Sequence, residues 1–363
     1  METSARPAPD RGSAIALARG HWLHGSPAPS APAIEPWIAR SWQRCLAAGR
    51  RPQERVQFAP VSAARRHEAA ERGRALVDAA RPVLARLARA IAATQYFALL
   101  TDADGTVLEV GPLPAQDDRA ITDIARVGVD LSERAVGTTA IGAALAEQAP
   151  VWLHRGEHFF DDTAVYTCAG APLFDPQGRC IGMLDLTGVR VAERPELQHL
   201  ARHAVQAIGN RLLRARPHAL LVQLNWPGCL AASEGADGDG LLALDADGRI
   251  TGANMLARQL LGLRGEGPWP ADEVFAAPAA FLFDAAGRSG APAELPLWSG
   301  LRIHVRASRP GAAARAAGRP RLKEAQDAWI RQAVDEAHGN VAEAARLLGV
   351  SRATVYRKLG RRG

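Results

Sequence analysis

The chain has 363 residues, 47% of them apolar, which excludes a disordered protein and leaves room for two or three domains with their own cores. Its four cysteines, Cys45, Cys168, Cys180 and Cys229, are far apart with no CxxC pair, which argues against a disulfide framework or zinc knuckle and for a reducing, cytoplasmic setting. From Arg302 onward 14 Lys/Arg face 5 Asp/Glu, a balance of +9 in a chain of net charge +6, so the basicity belongs to the tail and points to a polyanionic partner.

Residues 1–33, with METSARPAPDRG and SPAPSAP, read as an unstructured segment without the apolar core of a signal peptide. No apolar run reaches the ~20 residues of a membrane span, so no membrane partner is expected. A long Ala/Arg/Leu helix runs from about Arg74 to Thr94. YFALLTDADGTVLEVG follows as two short strands around an Asp-Gly turn. GTTAIGAALAEQ, Gly137 to Gln148, is a helix. VWLH, TCAGAPLFD and GRCIGMLDLTG are further strands, the last two meeting at DPQG. A second long helix spans about Pro195 to Arg216. The sum, residues 34–216, is an antiparallel sheet with helices packed on it: an α+β sensory module rather than a parallel-sheet nucleotide binder.

Several residues in this block invite a chemical reading. His154, His158, Asp161 and Asp162 contain metal-ligand types but no firm ligand spacing, so HRGEHFFDD reads as a polar loop with a buried aromatic and no metal is expected. Cys168 lies in a strand and is a redox sensor only if its thiol pKa is low; a small buried cysteine is the simpler reading. DADG at Asp102–Gly105 and again at Asp245–Gly248 lacks the glutamate at the twelfth position of a calcium loop, so both are turns. No Gly-x-Ser-x-Gly or other nucleophile signature occurs. Catalytic residues and cofactors are therefore not expected.

Residues 217–308 contain GLLALDADGRITGANMLARQLLGL, Gly240 to Leu263, read as strand, turn, strand and a helix beginning at Asn254. FLFDAAGRSG and LRIHVRA read as further strand fragments, in either a small domain or an irregular connector. RPGAAARAAGRPR, residues 309–321, is a flexible linker.

Residues 322–363 are strongly patterned. Leu322, Ala325, Trp329, Ala333 and Val334 form the stripe of an amphipathic helix. HGN stops it, with Asn340 as N-cap of the next helix, Val341 to Leu348, where Ala344 and Ala345 permit close approach. Ser351 caps a last helix from Arg352 to about Leu359. Val355 and Leu359 should face inward, leaving Arg352, Thr354, Tyr356, Arg357 and Lys358 outward. This is helix-turn-helix geometry, whose second helix enters the major groove of double-stranded DNA. Ser351 and those five residues are the expected DNA-binding set. Such readers address two half-sites, so a homodimer is expected.

Four stretches carry family resemblance. GNVAEAARLLGVSRATVYRKL resembles the DNA-binding end of the factor for inversion stimulation (Fis). The run from ERAVGTTAIG to GMLDLTG resembles the GAF domain of the acetoin-catabolism activator family of bacterial enhancer-binding regulators. EPWIARSWQRCLAAG resembles the SW–x–R–C segment that precedes it there, and together they cover roughly Trp37 to Arg216. Gly240 to Leu263 resembles the opening of a PAS domain. The resemblance implies a GAF-like receiver for a small-molecule effector. In that family an AAA+ ATPase acting on sigma-54 polymerase stands between sensor and Fis-like end. Here about a hundred residues separate Arg216 from Leu322, with no GxxxxGK phosphate loop and no GAFTGA loop. The expectation is a DNA-binding transcriptional regulator with a sensor and no motor. The alternatives are a repressor or anti-activator forming mixed oligomers with full-length relatives, or a ligand-binding protein whose DNA-binding end is vestigial.

Overall fold

A computed structural model describes residues 11–25, 34–115, 118–231, 237–286, 292–310, 334, 337, 340–347, 352 and 355. The chain divides into two compact units, Met1–Ala307 and Ser308–Gly363. The architecture is α+β.

The first sheet has five strands, β1 (Tyr96–Asp102), β2 (Val107–Val110), β3 (Val151–His154), β4 (Tyr166–Phe174) and β5 (Cys180–Val189), in the order β2-β1-β5-β4-β3. Every neighbouring pair is antiparallel. Both hairpins turn at the Asp-rich tetrads read from sequence: Asp102 Oδ1 accepts from Asp104 N and Thr106 N, and Asp175 Oδ1 accepts from Gln177 N and Arg179 N.

Helices α1 (Arg11–His24), α2 (Pro36–Ala47) and α3 (Ala63–Ile91) precede this sheet, and α7 (Leu197–Ala215) follows it. Ala98, Leu100, Leu184 and Leu186 pack under α3 and α7. Because strand residues alternate faces, Leu99, Met183 and Cys168 point the other way. They pack with residues of α4 (Arg119–Ile124), α5 (Glu133–Val136) and α6 (Ala140–Glu147). Helix α3 starts at Ala63 rather than Arg74: Ser62 accepts from Arg65 N as N-cap, and Ala69, Gly73 and Leu76 extend the buried stripe.

The amino terminus corrects the expectation of an unstructured segment, since Arg11–His24 is helical. Its own periodicity is weak, and tertiary contacts hold it. Ala18 joins Ile38, Trp42, Cys45, Phe159 and Phe160 in a small core.

The second sheet also belongs to the first unit. It comprises β6 (Leu220–Asn225), β7 (Gly240–Leu244), β8 (Arg249–Ala253), β9 (Trp269–Pro270), β10 (Ala293–Pro296) and β11 (Arg302–Ser308), in the order β10-β11-β6-β7-β8-β9. Its core gathers Leu220, Val222, Leu242, Ile250, Phe275, Ile303 and Val305. Helix α8 (Met255–Leu261) is capped by Asn254, whose Oδ1 accepts from Ala257 N at 2.8 Å. Short helix α9 (Ala271–Val274) follows β9. The described part of FLFDAAGRSG is not a strand: Ala279–Ala285 form helix α10, because Leu282 and Ala285 lie on one turn after Pro278 and bury together.

The two sheets join along a polar seam. Ala253 N donates to Pro176 O at 2.9 Å, and Gln177 Nε2 donates to Thr251 O at 3.2 Å. Leu213 of α7 leaves the first core to pack with Leu241 and Ala243 of β7. Gly252 has no room for a side chain there, since an added Cβ would lie 2.8 Å from Leu213 Cδ1 and 2.9 Å from Pro176 Cβ.

In the second unit, α11 (Val341–Leu347) begins where Asn340 Oδ1 accepts from Ala342 N and Glu343 N, at 3.2 and 3.3 Å. Ala345 and Val355 are buried, with Val334 and Val341 packed against them. Most of the helix expected over Leu322–Ala337 lies outside the described residues. No helix among the described residues is long and apolar enough to cross a membrane.

Candidate functional site

Strand alternation places Asp185 and Thr187 on the face of the first sheet that carries Cys168 and Tyr166. The register sets Asp185 opposite Leu99 and Gly170, and Thr187 opposite Cys168. Between these side chains lies a cavity of about 20 Å³ that His158, Thr139 and Thr163 also line. That volume is about what one water needs.

Of the four hydroxyls that line it, three donate within the protein, and Thr139 Oγ1 accepts from Gly142 N at 3.2 Å. Thr187 Oγ1 donates to Asp185 Oδ2. Tyr166 OH donates to Ala120 O at 2.9 Å, and Thr163 Oγ1 to Phe160 O at 2.8 Å. His158 Nδ1 lies 2.8 Å from Arg155 O, a pairing that puts the ring proton on Nδ1 and leaves Nε2 as an acceptor. Nε2 in turn is 3.6 Å from Cys168 Sγ. Asp185 Oδ1 has no hydrogen-bond partner among the described residues, although Asp185 is only 1% exposed. A buried unmatched carboxylate oxygen is costly, and a ligand or water that donates to it relieves the cost.

Burial sets the protonation of the site. It pushes the Asp185 carboxyl up to about 7, against the pull of the Thr187 hydroxyl. It drives His158 down to about 4, so the imidazole is neutral at pH 7. Burial also raises the Cys168 thiol well above its usual range, with Asp185 adding to the shift. Cys168 is thus a protonated, buried cysteine rather than a reactive thiolate.

The segments before the sheet brace this cavity from outside. Within SWQRC, Ser41 Oγ donates to Glu133 Oε2 at 2.6 Å and lies 2.7 Å from Thr138 Oγ1. Trp42 Nε1 donates to Glu157 O at 2.9 Å. Arg44 bonds both Glu133 oxygens, at 2.6 and 2.8 Å, and Cys45 Sγ lies 3.7 Å from Thr138 Oγ1. Helix α1 adds two arginines. Arg11 Nη2 reaches both Glu157 oxygens at 3.0 Å. Arg19 donates to Gly156 O, His158 O and Phe159 O at 2.9, 2.6 and 3.2 Å, and to Asp161 at 2.5 Å. The loop that presents His158 is therefore held by its backbone carbonyls.

The four residues weighed as metal ligands occupy separate settings. His158 is interior; His154 Nδ1 faces Thr167 Oγ1 at 3.1 Å; Asp161 pairs with Arg19; Asp162 Oδ2 accepts from Val56 N at 3.3 Å. Among the described residues no three His, Cys, Asp or Glu side chains are grouped to hold a metal ion. Sequence reasoning passed over Asp185, Thr187 and Arg19. The available signal was Asp185 itself, an acidic residue inside the otherwise apolar strand GMLDLTG.

Of the expected DNA-binding residues the structure describes Arg352, which is helical and exposed; Val355, also helical, is fully buried. Ser351, Thr354, Tyr356, Arg357 and Lys358 lie outside the described residues.

Comparison with known proteins gives two family matches. The family described as MimR, N-terminal domain, matches residues 16–210, and the Fis family of bacterial regulatory proteins matches residues 321–361. The acetoin catabolism regulatory protein of Cupriavidus necator is 33% identical over 261 residues, covering 68% of this chain and 37% of that protein. The propane 2-monooxygenase operon transcriptional activator MimR of Mycolicibacterium smegmatis is 33% identical over 139 residues, covering 38% of this chain and 24% of that protein. The chain spans about a third of the length of the first curated relatives it matches. Among solved structures, the E. coli DhaR(N)–DhaL complex aligns with a TM-score of 0.47 at 16% identity, over 76% of this chain and 100% of that one.

Proposed function

This chain belongs to the MimR N-terminal-domain family, and we propose on that premise that it is a cytoplasmic, DNA-binding transcriptional regulator switched by a small molecule. The observation that carries the reading is the Fis-family match at residues 321–361, together with a helical, exposed Arg352 and a helical, buried Val355. Arg352, in the first turn, addresses base edges; Ser351, Thr354, Tyr356, Arg357 and Lys358 complete the contact surface. The protein acts as a homodimer, because one such reader covers a single half-site.

The effector enters the cavity beside Asp185. The Thr187, Tyr166 and Thr163 hydroxyls already donate within the protein, and with Asp185 Oδ1 unmatched the site favours a ligand that donates a hydrogen bond to it. A carboxylate or phosphate would meet acceptors and be repelled. Growth of the cavity beyond about 20 Å³ moves the His158 loop or β5, and with them the contacts that α1 and α2 make.

ATP hydrolysis is not part of this function, since the residues between α7 and the DNA-reading end contain no GxxxxGK loop to cradle phosphates. That feature also favours a second reading, an anti-activator that forms mixed oligomers with full-length relatives. Anisotropy titration of the full chain against its own upstream DNA, at several salt concentrations, tests the leading reading. Specific, salt-dependent binding by a dimer supports it. Binding no better than to scrambled DNA, or ATPase activity that follows the protein through purification, would overturn it.

A further inference from the structure

The seam between the two sheets is flanked by a cleft of about 570 Å³, a size typical of small-molecule sites, that the effector reading leaves unused. One wall is α7, where Arg202, Gln206 and Gly209 recur at helical spacing along a single face. The opposite wall is α8, with Met255 and Gln259, and the floor includes Pro172 and Phe174 of β4. The cleft therefore has an apolar floor and walls on which Arg202, Gln206 and Gln259 stand beside Val205, Met255 and Leu256.

Its polar groups are unspent. Arg202, Gln206 and Gln259 have no side-chain hydrogen-bond or ion-pair partner among the described residues. The carboxylate that also borders the cleft, Asp175, is engaged by the Arg179 guanidinium at 2.8 Å and by turn amides. The uncompensated charge facing the cleft is thus the Arg202 cation. This is the reverse of the interior cavity, where acceptors are left over and no cation stands.

We propose that the cleft between α7 and α8 binds a small organic anion, a carboxylate carried on an apolar body. The carboxylate pairs with Arg202, which can offer two parallel N–H donors, and takes further bonds from the Gln206 and Gln259 amides. The apolar body lies on Phe174, Pro172 and Met255. A ligand so placed touches both halves of the first unit at once and favours the alignment that the seam holds. The site is separate from the Asp185 cavity and does not depend on that assignment.

Calorimetric titration of the full chain with phenylacetate and with its uncharged isostere phenylacetamide tests this. Phenylacetate is expected to bind at least about tenfold more tightly than the amide, the worth of one charge-assisted contact. Arg202→Ala should bring phenylacetate down to the level of the amide. Gly209→Met should remove binding of both by filling the cleft. Gly209 tolerates a side chain, because its backbone is helical and an added Cβ would meet nothing closer than Phe174 O at 3.9 Å. Circular dichroism verifies that both variants are folded. The proposal fails if phenylacetate does not bind the wild-type chain at millimolar concentration, if acid and amide bind equally, or if either variant binds phenylacetate like the wild type.

Discussion

Asn210 in the middle of α7 and Asn254 at the head of α8 hold each other across the seam: Asn254 Nδ2 donates to Asn210 Oδ1 at 2.8 Å, and both side chains are buried. Asn254 also donates to Asp239 O at 2.9 Å and accepts from Leu241 N and Ala257 N at 3.0 and 2.8 Å. One amide therefore caps a helix, closes a strand end and binds the neighbouring module.

Asn254→Ala is expected to cost about 2–4 kcal/mol, since it removes a helix cap and leaves several buried polar groups without partners. Urea unfolding measures it. A loss below about 0.5 kcal/mol would mean that water replaces the side chain and that the seam contributes little.

The Asp185 carboxyl, held near 7 in the folded state, is far above its unfolded value. Its contribution to stability is full below the unfolded pKa and is lost as pH rises through about 7. His158 works in the opposite sense: with a folded pKa of about 4, its contribution is present above the unfolded value and lost as pH falls through about 4. The two partly cancel in mildly acid solution, so the variant comparison isolates each. The urea midpoint of Asp185→Asn should fall less than that of the wild type between about pH 5 and pH 8. Parallel midpoints across that range would show that Asp185 is not buried as an isolated carboxyl.

Arg19 ties α1 to the loop that carries His158, so its removal should open the cavity. With Cys45, Cys180 and Cys229 replaced by alanine, the rate at which a methanethiosulfonate reagent labels Cys168 reports that opening. Arg19→Ala should raise the rate at least about tenfold, and Arg19→Lys by less, because lysine cannot span several carbonyls at once. An unchanged rate would place the way in elsewhere.

On DNA, Arg352→Ala should lose preference for the operator, worth about 1–3 kcal/mol for a bidentate contact to guanine. Lys358→Ala should weaken all DNA alike and lower the salt slope by about one unit. Titration of both variants against operator and scrambled DNA decides it. An Arg352→Ala chain with the wild-type specificity ratio would contradict the base-reading role.

Local chemistry made much of this legible. Asp-Gly and Pro-x-Gly turns marked the hairpins of the first sheet, and Asn340 and Val355 read correctly because capping and four-residue spacing are local rules. Elements that depend on distant partners did not read. Helix α1 needs the Gly156, His158 and Phe159 carbonyls, more than a hundred residues away, to anchor Arg19. Strand β6 was passed over although Pro217 and Pro227-Gly228 flank it, and its place is defined by pairing with β7. Helix α10 carries an apolar run that suits either period until Pro278 and the core choose. The polar cavity was hidden because an aspartate facing inward and one facing outward look alike until the register is known.

Helix α7 gives its first turns to one sheet and Leu213 to the other. Its last turn is thus common property, which sets how the chain can be recombined. A fragment ended at Arg216 would leave Leu213 bare, and one begun at Leu220 would lack the residue that Leu241 and Ala243 pack upon. Chimeras that graft the first unit onto a foreign domain should keep both sheets and be spliced after Ser308.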